Sequence, residues 1–141
     1  LRPESLELEG LVVALTKQAA SIRARHNIDV QSTLCAEPEI PIEQKEALYR
    51  IAQEALHNIV KHAHATHVEL ELAADRDRLA LTVRDNGRGF DPAQSFPGHL
   101  GLRSMHERAA RLGGTLDVTS TPGSGTSIRA RMPAQRATER S

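Results

Sequence analysis

This sequence has no tryptophan, a single cysteine, almost no aromatic residues and no net charge. One cysteine, Cys35, excludes an internal disulfide and fits a reducing compartment. Aromatics at 2% leave almost nothing on which bases could stack. With 18 Lys+Arg against 18 Asp+Glu, no bulk positive charge is available for phosphate backbones. Long hydrophobic runs are also missing. The longest, Leu11-Val12-Val13-Ala14-Leu15, is far short of the ~20 apolar residues of a membrane span. No basic start followed by an apolar stretch marks a signal peptide. We therefore expect no nucleic-acid partner, no direct membrane contact and a cytoplasmic location.

What is present suits one globular domain. The chain has 141 residues, within the ~100–200 of a typical domain. Its apolar residues and glycines together reach about 45%, the low end of the ordinary globular range. The core must come from Leu, Ile, Val and Ala.

Leu8, Leu11, Val12, Leu15, Ala19 and Ile22 recur at helical spacing, which predicts one amphipathic helix over 4–25 with Asn27 as its stop. Ile28, Val30 and 32–34 read as a short strand. Leu48, Ala52, Ala55, Leu56, Ile59 and Ala63 form the stripe of a second helix over 42–62. The period then switches to two, through Val68, Leu70 and Leu72 and again through Leu79, Leu81 and Val83, which makes a hairpin. Residues 85–97 are rich in Gly, Pro and Asp and read as loop. Leu102, Met105, Ala109 and Leu112 mark a third helix ended by Gly113-Gly114, and a second hairpin follows to Pro133. This order predicts an α+β two-layer sandwich with three helices on one face of a mixed sheet. The domain is expected over 1–133 and a flexible polar tail over 134–141.

Glu54, Asn58, Lys61 and His62 fall within about 100° of arc on the second helix, beside its apolar stripe. Such an edge suits a metal-bound polyphosphate. The amide oxygen can ligate Mg²⁺, the ammonium can meet phosphate, and the carboxylate can move or orient a proton. A solvated helix face with i,i+4 pairs would look the same. Asp85 shares the parity of Leu79, Leu81 and Val83, so it points inward and needs a partner or ligand. Gly87 and Gly89 follow it and let backbone approach a ligand closely. Gly98-His99-Leu100-Gly101-Leu102 leads into the third helix and offers backbone N–H groups to phosphate. Thr126 has the inward parity of Ile128, Ala130 and Met132. His62, His64 and His67 straddle a helix end with no fourth ligand nearby, so zinc is not expected.

The set Glu54…Asn58…Lys61-His62, Asp85-Asn86-Gly87-Arg88-Gly89, Gly98…Gly101-Leu102 and Gly123-Ser124-Gly125-Thr126 resembles the ATP-binding family shared by DNA gyrase, heat-shock chaperones, mismatch-repair ATPases and histidine kinases. Gln53 to Ala63, Leu1-Arg2-Pro3 and Gly101 to Ala109 further resemble sensor kinases whose response regulators carry helix-turn-helix domains. The resemblance implies a Bergerat-type ATP-binding fold and a set of roles. Glu54 would be the acid/base or water-orienting carboxylate and Asn58 the Mg²⁺ ligand. Lys61 and His62 would contact phosphate or ribose. Asp85 would accept the adenine amino group, supported through water by Thr126. Gly87 and Gly89 would shape the adenine pocket, and the Gly98–Leu102 loop would meet the phosphates.

On this resemblance the chain is an excised catalytic domain that binds Mg-ATP and phosphorylates a histidine on an upstream dimerisation domain, with a response regulator downstream. By itself it is not expected to autophosphorylate. His57 departs from the family pattern, which usually places a small or polar residue there. The alternatives are a serine kinase of the anti-sigma-factor type, on the same fold, and a nucleotide-sensing module without chemistry.

Overall fold

The computed structural model describes residues 3–93 and 99–135. Helices α1 (Pro3–Glu9) and α2 (Leu11–His26) precede strand β1 (Asp29–Leu34). Helix α3 (Ile42–Asn58) runs directly into a π-helical turn (Ile59–Ala63). Then come β2 (His67–Asp75), β3 (Arg78–Asp85), α4 (His99–Arg111), β4 (Thr115–Ser120) and β5 (Thr126–Pro133). The strands form one sheet in the order β1-β2-β3-β5-β4. β1 and β2 are parallel and the other pairs antiparallel, so the sheet is mixed, as expected.

The sheet turns one face to the helices. Val68, Leu70 and Leu72 of β2, Leu79, Leu81 and Val83 of β3, and Ile128, Ala130 and Met132 of β5 are all buried. They meet Leu48, Ile51, Ala52, Ala55 and Leu56 of α3 and Met105 and Ala109 of α4 in one core. The opposite face carries Glu71, Arg84, Arg129 and Arg131, as a half-solvated antiparallel sheet does. α4 ends where predicted: Gly114 N–H donates to Ala109 O (2.9 Å) and Gly113 N–H to Ala110 O (3.1 Å), the paired bonds of a Schellman stop. Asn27 closes α2 in the left-handed conformation.

Two predicted helices are divided. The expected single helix over 4–25 breaks at Gly10, whose φ is +91°. α1 and α2 are therefore separate, so the described residues hold four α-helices rather than three, with α1 packed on α2 and α3. The break rotates the first turns: Leu6 is buried at 1% exposure, whereas Leu8, counted in the apolar stripe, is 87% exposed. The second predicted helix changes from α to π after Asn58. Ala134 and Gln135, placed in the expected tail, are held by hydrogen bonds. Ala134 N–H donates to Asp77 O (2.6 Å). Buried Gln44 holds the neighbouring backbone, donating from Nε2 to Pro133 O (2.6 Å) and accepting from Gln135 N–H (3.1 Å). Residues 136–141 lie outside the described residues.

The break at Gly10 depends on a residue far along the chain. Glu37 accepts from Leu11 N–H and Val12 N–H, each at 2.8 Å, and so caps a helix start that has no capping side chain of its own. A Cβ at Gly10 would meet that carboxylate at 2.8 Å. Lys45 pairs with Glu37 at 2.7 Å. Burial alone would raise the Glu37 pKa above its ordinary 4.5, but Lys45 and the two N–H donors outweigh it and lower the value. A lowered carboxylate pKa stabilises the fold above the ordinary value and loses that contribution as pH falls through the lowered one. Glu37→Ala should thus cost about 0.5–2 kcal/mol in urea unfolding at neutral pH. The gap from wild type should close progressively as the pH falls below 4.5; a gap independent of pH would assign the loss to packing instead.

Candidate nucleotide-binding site

β3 delivers a carboxylate to the inner face of the sheet after three aliphatic residues. Asp85 is 7% exposed. It pairs across the sheet with Thr126, which pairs with Ser120, so the three share one face and one level. The row beneath is apolar: Val83, Ile128 and Val118. The core thus becomes polar only at this end. Gly87 N–H donates to Asp85 Oδ1 at 2.7 Å. Burial pushes the Asp85 pKa above its ordinary 3.8, against the Gly87 and Thr126 N–H groups that lower it. When ionised, this carboxylate can only accept hydrogen bonds.

A cavity of about 70 Å³ opens over that row, room for a few waters. Asn58, Ile59 and His62 line it from the helix above, Leu102 from α4, and Gly89 and Phe90 from the loop after β3. Glu54 lies one turn before Asn58. A Cβ at Gly101 would stand 2.8 Å from Glu54 Oε2 and 3.2 Å from Asn58 Nδ2. The bare backbone of the first turn of α4 therefore meets a carboxylate and a carboxamide together. Free N–H groups and the positive dipole end lie in that same turn.

The π turn changes the expected arc. Its i→i+5 bonds make a wider turn than an α-helix, so positions after Asn58 rotate. His62 reaches the cavity wall, whereas Lys61 is exposed and outside that wall. Gly98 lies outside the described residues. His99 begins α4, Leu100 is 76% exposed and Leu102 8% exposed. The structure thus brings together Asn58, His62, Asp85, Gly89, Leu102 and Thr126 around one space, with Glu54, Gly87 and Gly101 behind it. It does not bring in Lys61 or Leu100.

A larger groove of about 380 Å³ lies between α2 and α3, past Tyr49, Leu56, His57 and Val60. It has more room but no buried charge. Its ionic groups include the surface pair Lys17–Glu9, so the smaller cavity is the better candidate. His57 points into this groove and away from the cavity. His67, considered above for zinc, instead pairs with Asp29 (2.9 Å) and Glu69 (3.5 Å).

Three residues escaped the sequence reading. Arg88 donates its N–H to Ala63 O (2.8 Å) and its Nε–H to His62 O (2.7 Å), satisfying carbonyls at the end of the π turn that no helix continues to bond. Asn86 accepts from Thr66 and His67 N–H at 3.0 Å each. Ser120 bonds Phe90, Gly125 and Thr126. Asn86 and Arg88 stood in the quoted Asp85–Gly89 set without a role of their own, and Ser120 stood outside every motif. The clamp also explains Gly87, where a Cβ would lie 2.3 Å from the Ala63 carbonyl oxygen. Gly87→Ala must shift backbone and should cost about 1–3 kcal/mol in urea unfolding. Gly101→Ala faces only the ends of two side chains, Glu54 and Asn58, and should cost under ~1 kcal/mol. Equal losses would show that the Gly101 contact is as rigid as the Gly87 one.

Known proteins share this fold. Residues 43–136 match the model of the histidine kinase-, DNA gyrase B-, and HSP90-like ATPase family. The chain is similar to sensor histidine kinase LiaS of Bacillus subtilis, with 38% identity over 133 residues, 94% of this chain and 37% of that protein. It is 34% identical over 129 residues to the signal transduction histidine-protein kinase/phosphatase DegS of Brevibacillus brevis, covering 91% of this chain and 33% of that protein. It spans about a third of the length of these relatives. A histidine kinase domain from the Erythrobacter litoralis EL346 blue-light activated histidine kinase superimposes with a TM-score of 0.77 at 25% identity, covering 93% of this chain and 69% of that one. With its buried carboxylate, its polar α3 edge and the glycine-bearing start of α4 all inside the matched region, the chain belongs to the histidine kinase-, DNA gyrase B- and HSP90-like ATPase family.

Proposed function

We propose that this chain is the ATP-binding catalytic domain of a two-component sensor histidine kinase. It would supply the γ-phosphoryl group to a histidine on an upstream dimerisation domain, from which a response regulator takes it. The observation that carries this reading is the Asp85 carboxylate, buried against a cavity that Asn58 also lines, with Glu54 and the bare backbone of Gly101 close to Asn58. On this reading Asp85 recognises the base and the edge around Asn58 faces the phosphates. Among the described residues no helix is long and apolar enough to cross a membrane.

The donor set fits Mg²⁺ carried by the nucleotide. Asn58 offers an amide oxygen at the cavity wall, and among the described residues no cluster of three acidic, His or Cys side chains could hold a metal unaided. Mg²⁺ keeps several waters and takes phosphate oxygens as partners; when bound it neutralises phosphate charge. The chain's own residues do the rest. Asp85 accepts from the adenine amino group. The first turn of α4 presents N–H groups to the phosphates. In the transfer a ring nitrogen of the acceptor histidine attacks phosphorus with its lone pair. The bond from phosphorus to the bridging oxygen breaks, and ADP leaves with that electron pair. Glu54 is the carboxylate available to take the proton the imidazole loses. Catalysis here is positioning and charge stabilisation.

Two outcomes test the reading. With the parent's dimerisation domain supplied in trans, Glu54→Gln should leave ATP binding intact and slow formation of acid-labile phosphohistidine by ~10²–10⁴-fold. An unchanged rate would remove Glu54 from the chemistry, and acid-stable phosphoserine on a partner would favour the serine-kinase alternative. Asp85→Ala should weaken ATP binding roughly 10–100-fold, the value of a hydrogen bond to a charged group. Asp85→Asn should narrow the preference for ATP over GTP, because an amide can offer donor or acceptor. Calorimetric titration of both nucleotides reads this, and a wild-type chain binding GTP as tightly as ATP would take Asp85 out of base recognition.

A further inference from the structure

Ser120 is outside every motif read from the sequence, yet it is the hydrogen-bond hub behind the cavity. It is the last residue of β4 and sits in one cross-strand row with Thr126 and Asp85. Its Oγ accepts from Phe90 N–H at 2.9 Å. It lies 3.2 Å from the Gly125 carbonyl oxygen, to which it can donate, and 2.8 Å from Thr126 Oγ1, where either hydroxyl can be the donor. A hydroxyl has one hydrogen to give, so the pair has two arrangements. In one, Ser120 donates to Gly125 O and Thr126 donates to Ser120, leaving Thr126 with only lone pairs for the cavity. In the other, Ser120 donates to Thr126 Oγ1 and the Thr126 hydrogen is freed toward the cavity. The two differ by rotation of two hydroxyl hydrogens, with no heavy atom displaced.

Asp85 beside Thr126 is acceptor-only when ionised. The 6-amino edge of adenine presents a donor next to the N1 acceptor, so it needs one acceptor and one donor side by side. Asp85 supplies the first and the second arrangement of the hydroxyl pair supplies the other, directly or through one water. A 6-keto purine presents the reverse order, and its oxygen would face the carboxylate with no hydrogen between them. Resting on the adenine-nucleotide reading above, we propose that Ser120 is a positioning residue for base recognition: its hydroxyl turns the Thr126 hydrogen toward N1, so that adenine is matched at two adjacent atoms.

The test compares ATP with its 1-deaza analogue, in which N1 is replaced by CH, by calorimetric titration of this chain. Wild type should bind ATP about 3–10-fold more tightly than the analogue, the value of one neutral hydrogen bond. Ser120→Ala removes the donor that orients the Thr126 hydroxyl but leaves Thr126 its hydrogen, so it should shrink that ratio about twofold or more through weaker ATP binding and leave the analogue's affinity unchanged. Ser120→Thr, which keeps the hydroxyl, should restore the ratio. Ser120→Cys keeps a similar shape with a weak donor and should shrink the ratio likewise, so it carries the comparison if the alanine variant does not fold. An equal loss for both nucleotides would reduce Ser120 to a structural role, and an unchanged ratio in the Ala or Cys variant would overturn the proposal. A wild-type chain that binds neither ATP nor the analogue would overturn the nucleotide reading itself.

Discussion

The burial of one carboxylate organises this end of the molecule. β3 carries three aliphatic side chains into the core and then, with the same parity, Asp85. An unpartnered charge there would be expensive, and the structure meets that cost locally. Gly87 folds back to donate its N–H, and Thr126 donates from the neighbouring strand. The raised pKa shows that desolvation still outweighs these bonds. What remains is a strong acceptor facing a small cavity, which a donor-bearing ligand satisfies better than the protein alone.

Keeping that cavity open requires three segments to stay apart by fixed amounts, and backbone contacts set the spacing. Arg88 and Gly87 seat the loop after β3 against the π turn, and Asn86 ties the same loop to the chain entering β2. On the far side, Gly101 lets α4 approach Glu54 and Asn58 closely. The π turn converts a continuous helix into two registers, so that Asn58 and His62 both line the cavity while Lys61 turns to solvent. Irregular helix geometry beside a ligand site is a frequent association, and here its geometric consequence is visible residue by residue.

The relation of chain order to space differs between the two ends of the domain. At the amino-terminal end, Glu37 reaches back to cap α2, and Lys45 holds Glu37 in place. At the carboxyl-terminal end, Gln44 binds the backbone around Pro133. Both anchors flank the start of α3, so the helix that carries Glu54 and Asn58 is tied at its base to α2 and to β5.

Much of this was legible in the sequence, because periodicity reports which face of an element is buried. The alternation through Leu79, Leu81, Val83 and Asp85 identified the inward carboxylate, and Gly113-Gly114 and Asn27 marked helix stops through local backbone preferences. The boxes around Asn58, Asp85 and Gly101 fall at the end of α3, the end of β3 and the start of α4, which the fold brings together. The break at Gly10 was not legible, because apolar spacing runs through it and the residue that caps the new helix is distant in sequence. Nor was the π turn, since its residues have no period distinct from that of an α-helix over five positions. Ser120 looked like one more residue of a hairpin. Only strand pairing set it beside Thr126 and Asp85, because which hydroxyls share a row is decided by register between strands, a property no single segment contains.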